Sequence, residues 1–392
     1  MTPDTSIHDL HYLDHAATSA LRPPEVGQAI LDYVTRIGAT PGRGGHRLAI
    51  EAGRIVLATR TAVRDLMGRT GDPGRVAFGP NATWGLNTAI HGLVRSGDII
   101  VNTVFDHNAV LRPSHAAAAA QGAELRLVPG NAEGELDAAA FAQAIDGARI
   151  VTVNAASNVM GSTLPVAALV EQIHAAGAIA LVDSAQVLGH MPFDFGDADL
   201  IAFTGHKGLL GPQGIGGLWV RPEIELAGSH QGGTGGNSHE RTMPAAFPDK
   251  LEPGTLNGPG IAGLLAGCRV VQTTGPGELH RRSSVLKARL IEGIDSIRGV
   301  RRVSPAAPDG AGLVTLVADA IDAASMGRAL DRDHRVIARG GVHCAPEIHR
   351  LLGTDTSGGL RLSVGWGSSE ADIDAALGGI QAVVRGGPGP RT

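Results

Sequence analysis

Apolar residues recur at roughly helical period over residues 22–40 and 46–69, which predicts two helices near the start of the chain. Short apolar runs follow. RVAFGP (75–80), DIIVNTV (98–104), ELRLVP (124–129), RIVTVNAAS (149–157), AIALVDSA (178–185), LIAFTG (200–205) and GIGGLWV (214–220) read as seven strands. Helical stretches over 82–95, 107–121, 137–146 and 165–176 lie between most of them. The last opens on a proline and stops at Gly177. Strand and helix alternating at this spacing predict an α/β fold with a mostly parallel seven-stranded sheet. The pattern changes after residue 220. Residues 231–250 are polar and rich in Gly and Pro, so they read as a long loop of the kind that is functional or mobile. Helices are expected at 258–273 and 277–295, then GLVTLVAD, a helix, RVIARGG, RLSVGWGSS and a final helix. That order predicts a smaller α+β C-terminal domain, with the tail RGGPGPRT frayed.

Length agrees with this division, because 392 residues favour two domains over one. An apolar fraction of 43% against 18% charged residues describes a globular chain, not a disordered one. A net charge of −5 offers no basic excess for nucleic acid. No apolar run reaches about 18 residues without glycine or charge, so no membrane span is expected. The start MTPDTSIHDLHYLDHAAT lacks an apolar core behind a basic segment, so no signal peptide is expected. Cys268 and Cys344 cannot build a disulfide framework and lack metal-ligand spacing, which suits a reducing, cytoplasmic compartment.

Ligands of open α/β sheets bind at the carboxyl ends of the strands. Here those ends read NAT (81–83), FDHN (105–108), SNVMG (157–161), DSAQ (183–186) and TGHKG (204–208), polar clusters that point to one site. Lys207 follows a buried strand between glycines; it is either a solvated turn residue or a lysine made nucleophilic by burial. Asp183 is either a helix cap or a paired buried carboxylate. A lysine and a carboxylate at neighbouring strand ends suit pyridoxal phosphate (PLP), which needs a Schiff-base amine and a partner for its pyridinium nitrogen. The helix start at Asn81–Thr83 offers free N–H groups to a phosphate, or is plain capping. GPQGIGG (211–217) precedes a strand instead of following one, so it is no dinucleotide fingerprint, and no P-loop is present. His107 is either a structural imidazole or one that stacks on a ring and moves protons.

Taken together, YLDHAATS, RGGHRL, FDHN, SNVMGS, DSAQ, TGHKGLLGPQG, LEPGTLN, RGGVHCAP and GGLRLS resemble the class V aminotransferase family, in particular its cysteine desulfurase and selenocysteine lyase group. The match runs in order from about residue 12 to residue 375. The resemblance implies PLP fold type I in a homodimer with shared active sites. Residues 16–265 would form the large PLP-binding domain, and 1–15 with 266–392 the small domain carrying Cys344 and Arg361. Lys207 would hold the cofactor as a Schiff base, Asp183 would face the pyridinium nitrogen, Gln186 the ring hydroxyl, and His107 the ring itself. Ala82, Thr83, Thr204 and His206 would hold the phosphate, and Thr255 would reach that of the partner subunit. Asn158 and Arg361 would grip the substrate carboxylate, and His15 and Arg339 would also meet the substrate. Cys344 would take sulfur from L-cysteine as a persulfide, release L-alanine and hand the sulfur to an acceptor protein, with Arg339 or His343 favouring its thiolate. Read alone, Cys344 is equally a small buried residue; Cys268 reads as core.

Two positions depart from the family pattern. His15 stands where the family commonly has Asn, in a segment expected near substrate. Val342 stands where well-known members of the group have a second histidine. The first departure, with the Gly-rich 231–238 loop, keeps another PLP reaction open: β-elimination of a cysteine conjugate, selenocysteine lysis, transamination or epimerisation. A non-catalytic sulfur-relay module is disfavoured by the intact Lys207, Asp183, His107 and Arg361. His15, His46, His107, His206 and His343 lack any HxxxH or CxxC frame, so no metal is expected.

Overall fold

The computed structural model describes residues 6–42, 44–236, 239–307 and 309–386. The C-terminal residues 387–392, for which fraying was expected, lie outside them. Thirteen strands are formed among the described residues: β1 (His11–Tyr12), β2 (Val76–Gly79), β3 (Ile99–Thr103), β4 (Glu124–Val128), β5 (Ile150–Asn154), β6 (Ile179–Asp183), β7 (Leu200–Thr204), β8 (Gly216–Val220), β9 (Val300–Arg302), β10 (Leu313–Ala318), β11 (Val336–Ile337), β12 (Arg339–Gly341) and β13 (Gly359–Ser363). The helices are α1 (Pro24–Asp32), α2 (Arg47–Leu66), α3 (Ala82–Leu93), α4 (Asn108–Gln121), α5 (Ala138–Ile145), α6 (Val166–Ala175), α7 (Gly258–Thr274), α8 (Pro276–Asp295), α9 (Ala323–His334), α10 (Pro346–Leu351) and α11 (Glu370–Gly386).

The seven expected strands form one sheet in the order β2-β8-β7-β6-β5-β3-β4. Its pairs from β7 to β4 are parallel, and β8 runs antiparallel to both β7 and β2. Strands β5, β7 and β8 are buried at every position. This is why they appear in sequence as unbroken apolar runs: a sheet covered on both faces has no solvent side to alternate with. One core includes Val63, Leu169, Ile173 and Leu264 from α2, α6 and α7. A second includes Leu86, Ile90, Val110 and Ala117 from α3 and α4.

A second sheet is antiparallel, ordered β12-β13-β10-β9, and its core draws on α8, α9 and α11. Here the structure adds detail. RVIARGG is not one strand. Its first half, β11, pairs in parallel with β1 near the N-terminus, and its second half, β12, pairs with β13. A helix turn was expected to start after Asp183; residues 185–190 form consecutive turns instead. The short elements β9 and α10 carry too few residues to show a period.

Two glycines set where α3 lies. A Cβ at Gly216 would fall 2.7 Å from Asn81 Cα, and a Cβ at Gly85 would fall 2.6 Å from Gly217 O. Only glycine lets the start of α3 press onto β8 this closely.

Candidate active site

The carboxyl ends of β5, β6 and β7 open onto a cavity of about 250 Å³ that also meets the starts of α3 and α4. Its lining brings together Ala82, Thr83, His107, Asn158, Asp183, Gln186, Thr204, His206, Lys207, Arg339 and Arg361, each singled out in sequence. His15 and Thr255 are not in it. His15 is fully buried against the edge of Tyr12, and neither ring nitrogen has a partner. Thr255 lies in a separate depression of about 600 Å³, with Trp84 and the 230–233 segment. Cys344 does not line the cavity but borders it, half-buried, with its Sγ 3.8 Å from Arg339 Nη2.

One end of the cavity is built for an anion. Asn81 caps α3 by accepting the N–H of Trp84 at 3.0 Å, which leaves the N–H groups of Ala82 and Thr83 free at a positive helix end. Thr204 Oγ1 is buried there without a partner, and His206 Nδ1 is 3.1 Å from Thr18 Oγ1. Burial, then the charge of Lys207, pushes His206 down to about 4, so its ring is neutral.

The middle of the cavity holds an amine and a carboxylate. Burial, offset by Asp183 and reinforced by Arg361 and Arg339, lowers Lys207 to about 8. An appreciable fraction is therefore an unprotonated, nucleophilic amine near neutrality. Asp183 accepts the N–H of Ala185 at 3.0 Å, so it shapes the turn after β6 without capping a helix. Burial raises its affinity for a proton. Gln186 donates to Ala16 O at 3.1 Å. His107 caps α4: Nδ1 accepts the N–H of Ala109 at 3.0 Å, so the neutral ring carries its hydrogen on Nε2. Burial and the Lys207 charge hold that ring down at about 4.

The other end is cationic. Arg339 on β12 and Arg361 on β13 are direct antiparallel partners, so their side chains leave the same face of the second sheet. Arg361 is buried, donating to Asn158 O at 2.9 Å and to Asp14 Oδ1 at 2.8 Å. Its Nε and the Oδ1 of Asn158 lack partners. Two adjacent guanidinium groups, one of them with an unmet donor, form a seat for a carboxylate.

The model of the class-V aminotransferase family matches residues 11–376. The chain belongs to the class-V aminotransferase family. Within that family it is 32% identical over 393 residues to a probable cysteine desulfurase of Pyrococcus abyssi, covering 95% of this chain and 94% of the relative. Among solved structures it resembles the apo cysteine desulfurase from Thermococcus onnurineus NA1, with a TM-score of 0.88 and 32% identity over 97% of this chain and 96% of the other. The cysteine desulfurase CsdA (S-sulfonic acid) from Escherichia coli superposes with a TM-score of 0.87 at 26% identity, over 97% and 96% of the two chains.

Two carboxylates next to residues of the cavity escaped sequence reading. Asp14 pairs with Arg361 from a segment with no visible periodicity, although a carboxylate directly after the apolar pair Tyr12–Leu13 was a signal. Asp106 directly precedes His107 in the chain and is fully buried, accepting from Thr103 N at 2.7 Å and Thr152 Oγ1 at 2.9 Å. Burial pushes it up to about 7. His343 lines the cavity, but its ring is turned away from Cys344 toward Arg339 O, 2.9 Å from Nε2. Burial, then Arg361, lowers it to about 3. It is therefore neutral, and Arg339 alone of the two expected candidates puts a positive charge beside the Cys344 sulfur.

Proposed function

We propose that this chain is a PLP-dependent cysteine desulfurase that converts L-cysteine to L-alanine and holds the sulfur as a persulfide on Cys344. The observation that carries the reading is Cys344 Sγ 3.8 Å from Arg339, on the rim of a cavity that also holds Lys207 and Asp183. The residues fit the cofactor. The free Thr204 hydroxyl, the neutral His206 and the open start of α3 suit a phosphate; Asp183 suits a pyridinium nitrogen, Gln186 a ring hydroxyl and Lys207 an aldehyde carbon. When bound, PLP supplies an electron sink that loosens the bonds at the substrate's α and β carbons.

The protein's own part follows from the geometry. Arg361 and Asn158 bind the substrate carboxylate, with the second guanidinium of Arg339 beside them. Lys207, being partly unprotonated, accepts and returns the α-proton, and His107 Nε2–H is a donor inside the cavity. The Cys344 sulfur, beside Arg339, bonds as a thiolate to the substrate sulfur as the substrate's C–S bond breaks. The electron pair stays with the three-carbon product, which takes up a proton and leaves as alanine, so no external oxidant is needed. A sulfur-acceptor protein then takes the persulfide sulfur.

The same reading includes a homodimer in which Thr255, exposed in its own depression, reaches the phosphate of the other copy. It includes residues 16–265 as the cofactor domain, 1–15 with 266–392 as the small domain, and a cytoplasmic location. Among the described residues no helix is long and apolar enough to cross a membrane.

The deciding experiment is product analysis with L-cysteine, PLP and a reductant. Alanine matching sulfide is expected. Cys344→Ala is expected to lower alanine formation by at least about a hundredfold, as loss of a nucleophile does. Pyruvate and ammonia in place of alanine, or full turnover by Cys344→Ala, would overturn the reading.

A further inference from the structure

The loop bearing Cys344 is fastened through a run of buried imidazoles. His343 and Cys344 both have left-handed backbone, with φ of 51° and 57°. Side-chain-bearing residues avoid this region, so the surroundings must hold them there. Backbone contacts do part of this: Asn158 Nδ2 donates to His343 O at 2.8 Å, and the N–H of Asn108 donates to Cys344 O at 2.7 Å. The His343 ring does the rest. Its Nε2 is 2.9 Å from Arg339 O, and its Nδ1 is 3.2 Å from Nε2 of His349 on α10, with ring centroids 5.3 Å apart and planes at 29°. His349 Nδ1 lies 2.8 Å from Thr354 Oγ1. All three side chains are buried.

The hydrogens in this run are fixed by elimination. A carbonyl oxygen only accepts, so His343 Nε2 carries a hydrogen. In a neutral ring Nδ1 must then accept, so His349 Nε2 donates to it. His349 Nδ1 in turn accepts from the Thr354 hydroxyl. The charged groups facing the pair are Arg361 from β13, Arg339 from β12 and Asp355 from the turn after α10. Burial disfavours a charge on either ring.

We propose that His349 is a positioning residue for Cys344. By donating to His343 it fixes the Arg339 carbonyl and the left-handed turn, and so keeps the Cys344 thiol beside the Arg339 guanidinium. Its importance for turnover rests on the reading of Cys344 as the sulfur carrier, but its effect on the thiol does not.

The test is alkylation of Cys344 by iodoacetamide in the full-length holoenzyme, followed by peptide mass. Buried Cys268 reports unfolding in the same sample. For His349→Leu, alkylation at pH 7 is expected to slow about threefold or more, because the sulfur leaves its place beside the Arg339 guanidinium. His349→Gln, which keeps an N–H donor near the position of Nε2, is expected to stay within about twofold of the parent. If His349→Leu exposes Cys268, the decision passes to Thr354→Val, which removes only the last donor; the same slowing supports the proposal. Parent rates in the folded leucine variant, or in Thr354→Val where that decides, overturn it, as does a glutamine variant as slow as leucine. Full alanine formation by Cys344→Ala would sink the sulfur-carrier reading separately, leaving the alkylation result standing.

Discussion

Arg361 shows how one residue can serve both stability and binding. A guanidinium this deeply buried needs a counter-charge, and Asp14 supplies it at 2.8 Å. On the proposed reading, an arriving substrate carboxylate would share Arg361 with Asp14, so the pair would trade substrate affinity for stability. Asp14→Asn keeps the acceptor oxygen and removes the charge. It is expected to lower the KM for L-cysteine several-fold while lowering folding stability by about 1–2 kcal/mol, the difference between a charged and a neutral hydrogen-bond acceptor. Steady-state kinetics and urea denaturation check both arms, and a raised KM would count against the shared seat. The chemistry-bearing residues after β6 and β7 stood out in sequence because Asp183 and Lys207 interrupt apolar runs. Asp14 and His349 did not, because their meaning lies in partners 347 and 6 residues away.

At the scale of elements, the large sheet was legible because burial on both faces writes strands as apolar runs and the intervening helices keep their period. The second sheet was harder to read. Strand β12 has three residues, two of them glycine, and nothing in RVIARGG tells that its two halves take different partners. Cross-strand pairing of Arg339 with Arg361 is set by register, which no local pattern reveals. GIGGLWV read as a strand, as it is, but nothing in it told that Gly216 is where α3 comes to rest. Gly216→Ala would place a methyl 2.6 Å from Phe203 O and 2.7 Å from Asn81 Cα. It is expected to cost about 1–3 kcal/mol by overpacking and, by pushing the start of α3 off β8, to weaken PLP binding about tenfold or more. Gly53 in α2 is the control, since a Cβ there meets nothing within 4 Å. Gly53→Ala is expected to stabilise by about 0.5–1 kcal/mol with no change in PLP affinity. Equal PLP affinity in both variants would remove the helix seat from the argument.

For the whole molecule, the buried histidines predict acid sensitivity. His15, His107, His190 and His206 are each lowered to about 4, and His343 to about 3, mainly by burial. An unfolded chain protonates its histidines near pH 6.5, so between about 4 and 6.5 the unfolded state binds more protons at these positions and stability falls as pH falls. Asp106, raised to about 7, and Asp183, also raised, act in the opposite sense: they hold protons in the folded state that the unfolded chain has released. Five histidines outweigh two carboxyls, so the urea midpoint of the cofactor-free protein is expected to drop steadily from pH 6.5 to pH 4.5. His15 isolates the effect, because it is fully buried, lies outside the cavity and has two unpartnered nitrogens. His15→Asn, the residue common in the family at this position, removes one such proton. The slope of stability against pH should then become shallower by about 1 kcal/mol per pH unit in that window. An unchanged slope in His15→Asn would mean that His15 takes up its proton while the chain is still folded, and that water or a neighbouring group reaches its ring.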